Sequence, residues 1–251
     1  MIRPTAPMGR PLTERDASAG QAMFGSEVPA AQDAIALRDA RGIRFQRLEF
    51  LGDSVLDLLA LRHRVLWTLA RQIPRCCAGG WFDPTDRALA VVSRAHLLTE
   101  LADWPLADER AADLVEACVG AGFRSHGWAG ATRFAGARVH PIDTQPERRG
   151  DPAEHRRLVC ELGAQVFDAH CTAQAFGEHP DADEGELSTV RAGLVTNRRR
   201  ARLARRLGLP APSTRRDDDW ADQLDFELGR VCVEGGAAAA DGRVAELSSS
   251  A

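Results

Sequence analysis

Lysine and tyrosine are missing from this chain: all 32 basic residues among its 251 are arginine. Together with the heavy use of alanine, the absence of lysine reads as a GC-rich coding bias and carries no functional meaning. Long apolar runs are missing too. No stretch approaches the ~18 uncharged apolar residues of a membrane span, and "MIRPTAPMGRPLTERD" at the start offers no apolar core for a signal peptide. The expectation is a cytoplasmic protein with no membrane partner. The six cysteines are scattered apart from Cys76 and Cys77. No CxxC pair or Cys/His spacing suggests zinc, and free thiols in a reducing compartment are the plain expectation. The net charge of -4 excludes a global basic field that would gather nucleic acid. It leaves local basic patches open.

What the chain does have is length for one large domain or two small ones and an ordinary 44% hydrophobic content. Residues 1–24 are rich in Pro, Gly and polar groups and read as a flexible tail. Helical periodicity covers 27–40, 44–72, 86–103 and 108–123, then 152–175, 184–207 and 218–234. In the second of these segments Leu48, Leu51, Val55, Leu58, Leu59, Leu66 and Leu69 recur at helical spacing. Arg62 interrupts that stripe, and its head group is expected to reach solvent past an apolar stem. Gly and Pro break the pattern over 124–150, which reads as a linker region. Residues 236–251, "GAAAADGRVAELSSSA", read as a second flexible tail. Alternating stretches are few, so the predicted fold class is all-α.

A faint internal repeat runs through the chain. "LEFLGDSVLDL" from 48 aligns with "VCELGAQVFDA" from 159, setting Gly52 on Gly163, Val55 on Val166 and Asp57 on Asp168. "ADLVEACVG" from 112 aligns with "ADQLDFELG" from 221, setting Asp113 on Asp222, Glu116 on Asp225 and Gly120 on Gly229. Two related halves would produce both matches; so would chance similarity among Ala- and Leu-rich helices.

Acids stand out on two otherwise apolar helices. Glu49 and Asp53, at i and i+4, share a face, as do Asp113 and Glu116 at i and i+3. Four carboxylates facing a core are costly without compensation. A hard divalent cation such as Mg²⁺, which takes oxygen ligands and neutralises charge on a phosphodiester, is one compensator. Pairing of Glu49 with Arg47 and a solvated position for Asp113 are the alternative.

"RLEFLGDSVLDL" (47–58) resembles the signature helix of the ribonuclease III family, and "ADLVEACVGAGF" (112–123) resembles its second acidic motif. "RALAVVSRAHLLTELA" (87–102) is similar to the segment between them. The resemblance covers about 27–125. It implies an all-helical endonuclease domain over 25–130 that cuts double-stranded RNA with Mg²⁺, Mn²⁺ substituting. It also implies catalytic and metal-site roles for Glu49, Asp53, Asp113 and Glu116. Glu49 and Glu116 would ligate directly, Asp53 and Asp113 would ligate or orient water, and the products would carry 5′-phosphate and 3′-hydroxyl ends.

"DEGELSTVRAGLVTNRRRARLARRLGL" (183–209) also resembles that family, through Glu184, Gly185, Leu187, Ser188, Arg191, Ala192, Leu194 and Val195. It lies after the second acidic motif instead of before it. The resemblance therefore implies a linker over 131–150 and a second, degenerate ribonuclease III-like domain over 151–235. There Cys160 replaces Glu49 and Ala164 replaces Asp53, so no second active centre is expected. Family members act as dimers, so two halves would form an intramolecular pseudo-dimer, or two chains a homodimer. Phe50 matches the aromatic at the family's pairing surface. Glu161 at the corresponding place is a charge at an apolar contact, which weakens the internal pairing. The first half departs from the pattern with "CCAGGWFDPTD" (76–86) and Gln46, and no double-stranded-RNA-binding domain is recognisable. Arg198, Arg199, Arg200, Arg202, Arg205 and Arg206 form the densest basic run. Of these, Arg198, Arg199, Arg202, Arg205 and Arg206 are candidates for RNA phosphate contacts; salt bridges to Asp217–Asp219 are the alternative. The rival reading of the whole is a non-catalytic RNA-binding or assembly protein that keeps the fold.

Overall fold

The computed structural model describes residues 42–70, 84–95, 98, 107–138, 152–214 and 216–249. The tail and helix expected within 1–40 lie outside them, as does most of 76–86. Among the described residues there is no strand, and eight helices carry the regular structure. They are α1 (Ile43–Ala70), α2 (Asp86–Ala95), α3 (Asp108–Arg138), α4 (Pro152–Glu178), α5 (Glu184–Leu194), α6 (Asn197–Arg206), α7 (Asp217–Gly235) and α8 (Ala237–Ser249). The all-α expectation holds.

Two long crossings organise the packing: α1 lies on α3, and α4 lies on α7. Each is joined by a short helix on its outer side, α2 on α3 and α6 on α7, and α1 packs against α4 to join the two pairs. The leucine stripe explains the first crossing: Leu48, Leu51, Val55 and Leu58 are buried with Leu114, Val115 and Cys118 of α3. Apolar side chains at i, i+3, i+4 and i+7 give a helix one dry face, and its burial drives association.

Both crossings are too close for side chains at their centres. A methyl group built on Gly52 would lie 1.7 Å from the carbonyl oxygen of Glu116, and one on Gly120 would lie 2.0 Å from that of Leu48. In the second crossing a methyl on Gly163 would lie 1.6 Å from the Asp225 carbonyl, and one on Gly229 1.9 Å from that of Val159. The glycines paired by the sequence repeat thus make the same backbone-on-backbone contact twice.

Several expectations need correction. Of the tail expected over 236–251, residues 237–249 are helical instead: α8 buries Ala237, Ala240 and Val244 against α7 and α4. A run of alanines forms a helix readily, and small buried side chains suit close packing. Residues 124–138 are helical rather than linker. Gly127 takes φ 59°, a left-handed conformation open to glycine, so α3 turns there and continues to Arg138. Buried Trp128, Ala131 and Phe134 hold this continuation. The single helix expected over 184–207 is two, broken at Val195 and restarted with Thr196 as an N-cap whose side chain accepts from the Arg199 amide. Arg62 does not reach into solvent. Its Nε donates to the carbonyl of Cys232 at 3.0 Å, in the last turn of α7, where the same oxygen also accepts from the Gly236 amide.

Candidate metal centre

The glycine crossing builds the site. With no side chain between the backbones, α1 and α3 approach until Glu49, one residue from Leu48, meets Asp113 and Glu116. Glu49, Asp113 and Glu116 each place a carboxylate oxygen so that all three lie within 4.8 Å of one another. Asp53 is outside this group and open to solvent at the rim.

The electrostatics are those of uncompensated acids. Burial is the main cause of the shift in Glu49, reinforced by Asp113 and Glu184, and raises its carboxyl to about 7. Glu116 is pushed to about 8 by burial, then by Asp53, Asp113 and Glu49. Asp53 is raised by burial on its inner side, with Arg191 pulling the other way and Asp168 adding to the rise. Asp113 is raised by burial against the pull of Arg110. Buried like charges disfavour ionisation, and such shifts concentrate where chemistry is done.

Arginine pairing does not compensate the cluster. Arg47 is buried, but it is committed elsewhere: it donates to the carbonyls of His179, Ala182 and Phe176. The Phe176 and His179 carbonyls close the C-terminal end of α4, where a cation is favoured, and that of Ala182 lies in the turn before α5. Among the described residues, Glu49 Oε2 is buried without a hydrogen-bond partner. Asp113 is the exception, with Arg110 Nη1 at 2.9 Å from its Oδ2. An orphaned carboxylate oxygen and an all-oxygen donor set fit a hard divalent cation.

Other expected residues are placed as follows. Phe50 is 7% exposed and packs with Ala175 of α4 and Leu187 of α5, under Arg191, whose Cζ is 5.4 Å from the ring centre. Glu161 does not enter an apolar contact: Arg157 pairs with it at 2.6 Å on an open helix face. Of the basic run, Arg199 donates to Gln174, Arg205 to Asp217 and Arg206 to the Leu247 carbonyl. Arg198 and Arg202, one helical turn apart, stay exposed.

Glu184 and Arg191 were legible as motif residues, but their reach toward Glu49 and Asp53 was not. That reach depends on α5 packing against α1, a contact between distant parts of the chain. Arg200 was passed over among the candidate RNA contacts. The burial patterns of α2 and α6, alike position by position apart from this one, set it opposite Leu89.

No family model matches the chain. It is 32% identical over 133 residues to a Ribonuclease 3 from Oleidesulfovibrio alaskensis, an alignment covering 47% of this chain and 58% of that protein. The chain therefore spans less than two thirds of that relative's length. The match supports the ribonuclease III family, with the all-helical architecture in agreement.

Proposed function

We propose that the chain is a metal-dependent endoribonuclease of ribonuclease III type. It hydrolyses phosphodiester bonds in double-stranded RNA, leaves 5′-phosphate and 3′-hydroxyl ends, and works in the cytoplasm. The observation that carries the proposal is the convergence of Glu49, Asp113 and Glu116 around a buried, unpartnered oxygen. These three would hold Mg²⁺ or Mn²⁺, with Asp53 beside them. Once bound, the ion supplies charge neutralisation at the scissile phosphate and a lowered pKa for water. Glu49 and Glu116 hold protons near neutral pH and release them in binding the cation. Arg110 holds the Asp113 carboxylate in one orientation. Asp53 accepts a hydrogen bond from water entering at the rim.

In the same reading the chain is a pseudo-dimer of two ribonuclease III-like units, the second degenerate. Supporting it are the twice-repeated glycine contact and the meeting of α1 and α4 at matched positions. Gln165, the counterpart of Ser54, donates to the Ser54 carbonyl at 3.4 Å, as expected for two helices related by a two-fold axis. Phe50 would then be the pairing residue. With one acid centre per chain, one chain nicks one strand and two chains cut both. Arg198 and Arg202 are the side chains of the basic run left open for phosphate.

The second reading, a non-catalytic RNA-binding or assembly protein, is favoured by Asp53 lying outside the converging group and by the Arg110–Asp113 pair. An end-labelled duplex incubated with Mg²⁺, each strand resolved, separates the two. Cleavage by the wild type that is lost in Glu116→Gln is the expected result. Retained duplex binding with no cleavage would establish the assembly role.

A further inference from the structure

In the second crossing the positions of the acid centre hold different chemistry. Cys160 stands for Glu49 and Ala164 for Asp53, while Asp222 remains for Asp113 and Asp225 for Glu116. Asp225 is buried at the α4–α7 contact, and its carboxyl is raised to about 7 by burial, against the pull of Arg200. Arg200 comes from α6. Its Nη1 lies 3.4 Å from Asp225 Oδ2, with side-chain exposures of 15% and 8%.

The two short helices match residue by residue. α2 and α6 each have 10 residues and pack on α3 and α7 respectively. Ala90 corresponds to Ala201 and Val92 to Leu203, and all four are buried. On this register Arg200 replaces Leu89, which is fully buried. Arginine at a buried leucine position is costly unless something answers its charge. Asp225 answers it, and the Phe167 ring lies 5.3 Å from the guanidinium carbon. The pair is imperfect: Asp225 Oδ1 and Arg200 Nε are both buried without partners among the described residues.

We propose that Arg200 is a built-in replacement for the divalent cation, a fixed guanidinium that neutralises Asp225, the buried one of the two carboxylates that remain in the second half, and closes that half to metal. The proposal rests on reading the second half as a degenerate copy, but its test does not use RNA cleavage. An engineered Cys160→Glu/Ala164→Asp chain restores four acids around the second crossing and leaves Arg200 in place. Counting bound Mn²⁺ by electron paramagnetic resonance should give one ion per chain for this variant, as for the wild type, and two once Arg200→Leu is added. A second ion with Arg200 still present, or none after its removal, overturns the proposal.

Where the grafted chains do not fold, a stability cycle decides. Arg200→Leu alone should lower Tm by on the order of 10 °C, because it strands a buried carboxylate. Arg200→Leu/Asp225→Leu should recover most of that loss. A double variant that falls by the sum of its parts would show that the two charges do not answer each other. Because the first crossing keeps its own acids throughout, an absent first ion would count against the proposed metal centre and leave the Arg200 result readable.

Discussion

The two crossings share a backbone and differ in what they do with charge. In the first, α1 and α3 bring three carboxylates together around an oxygen that no described residue hydrogen-bonds. In the second, α4 and α7 make the same glycine contact, and an arginine meets the one carboxylate at its centre. Arginine and leucine are exchanged between the halves. Arg47 in the first corresponds to buried Leu158 in the second, and Leu89 corresponds to Arg200. Arg47 closes the end of a helix from the other half, whereas Arg200 stays within its own. The comparison teaches that helix geometry and site chemistry are set by separate residues. Glycines bring the helices together, and the residues one turn away decide whether a cation, a guanidinium or nothing is wanted there.

The largest effect expected from breaking this comparison is on cleavage. Glu116→Gln should reduce the metal-dependent rate by about 10³-fold, roughly 4 kcal/mol of transition-state stabilisation. Asp225→Asn should leave the rate of the folded fraction unchanged, and single-turnover cleavage of a labelled duplex measures both. Next is the contact between halves. Phe50→Ala empties a buried aromatic site and should cost about 3–4 kcal/mol in urea unfolding, whereas Glu161→Ala at the matched position should cost less than ~0.5 kcal/mol. Gly52→Ala and Gly163→Ala should each cost about 3 kcal/mol, the upper end for overpacking, because the added methyl meets backbone that has no rotamer to change. Equal losses would support a shared crossing, and a large loss at one with little at the other would separate the halves.

The smallest effect is the pH dependence of stability. Glu49 and Glu116 are raised to about 7 and about 8 from 4.5. Their folded values exceed the unfolded ones, so their contribution is fully present below about 4.5 and lost as pH rises through about 8. Without metal, Tm should fall across that window by the equivalent of roughly 1–2 kcal/mol after allowance for solvent screening. Saturating Mg²⁺ should flatten or reverse the fall, because the ion binds the deprotonated carboxylates. In Glu49→Gln/Asp53→Asn/Asp113→Asn/Glu116→Gln, which removes every raised acid of the first crossing, a residual slope from Asp225 should remain and ignore Mg²⁺. A metal response in that variant would mean that the second half does bind an ion.

Much of this was legible in the sequence because it is periodic or local. The Leu48–Leu58 stripe marks α1, and acids at i and i+4 or i and i+3 on apolar helices mark the candidate centre. The glycines aligned by the repeat fall at the crossing points. What was not legible depends on contacts between distant segments. Arg47 sits beside Glu49 in sequence, yet its guanidinium is drawn to carbonyls more than a hundred residues away. Arg62 is drawn across to α7 in the same way. The low-complexity look of 236–251 concealed a helix whose alanines pack because of their size. The Asp241 carboxylate then fastens it, receiving the Trp128 indole N–H at 3.0 Å and lying 2.7 Å from His170 Nδ1.

The glycine crossings carry a consequence for how such a chain changes over generations. Most helix contacts are made by side chains, and substitutions erode them gradually. A contact between two bare backbones has no side chain to lose. Any substitution at Gly52, Gly120, Gly163 or Gly229 adds atoms where there is no room, so drift at these positions is blocked while their neighbours remain free to vary. On the proposed two-unit reading, Cys160, Ala164 and Arg200 would record that freedom in one half, where Glu49, Asp53 and Leu89 stand in the other. A chemistry can be retired, and by the same route restored, without renegotiating the frame that holds it.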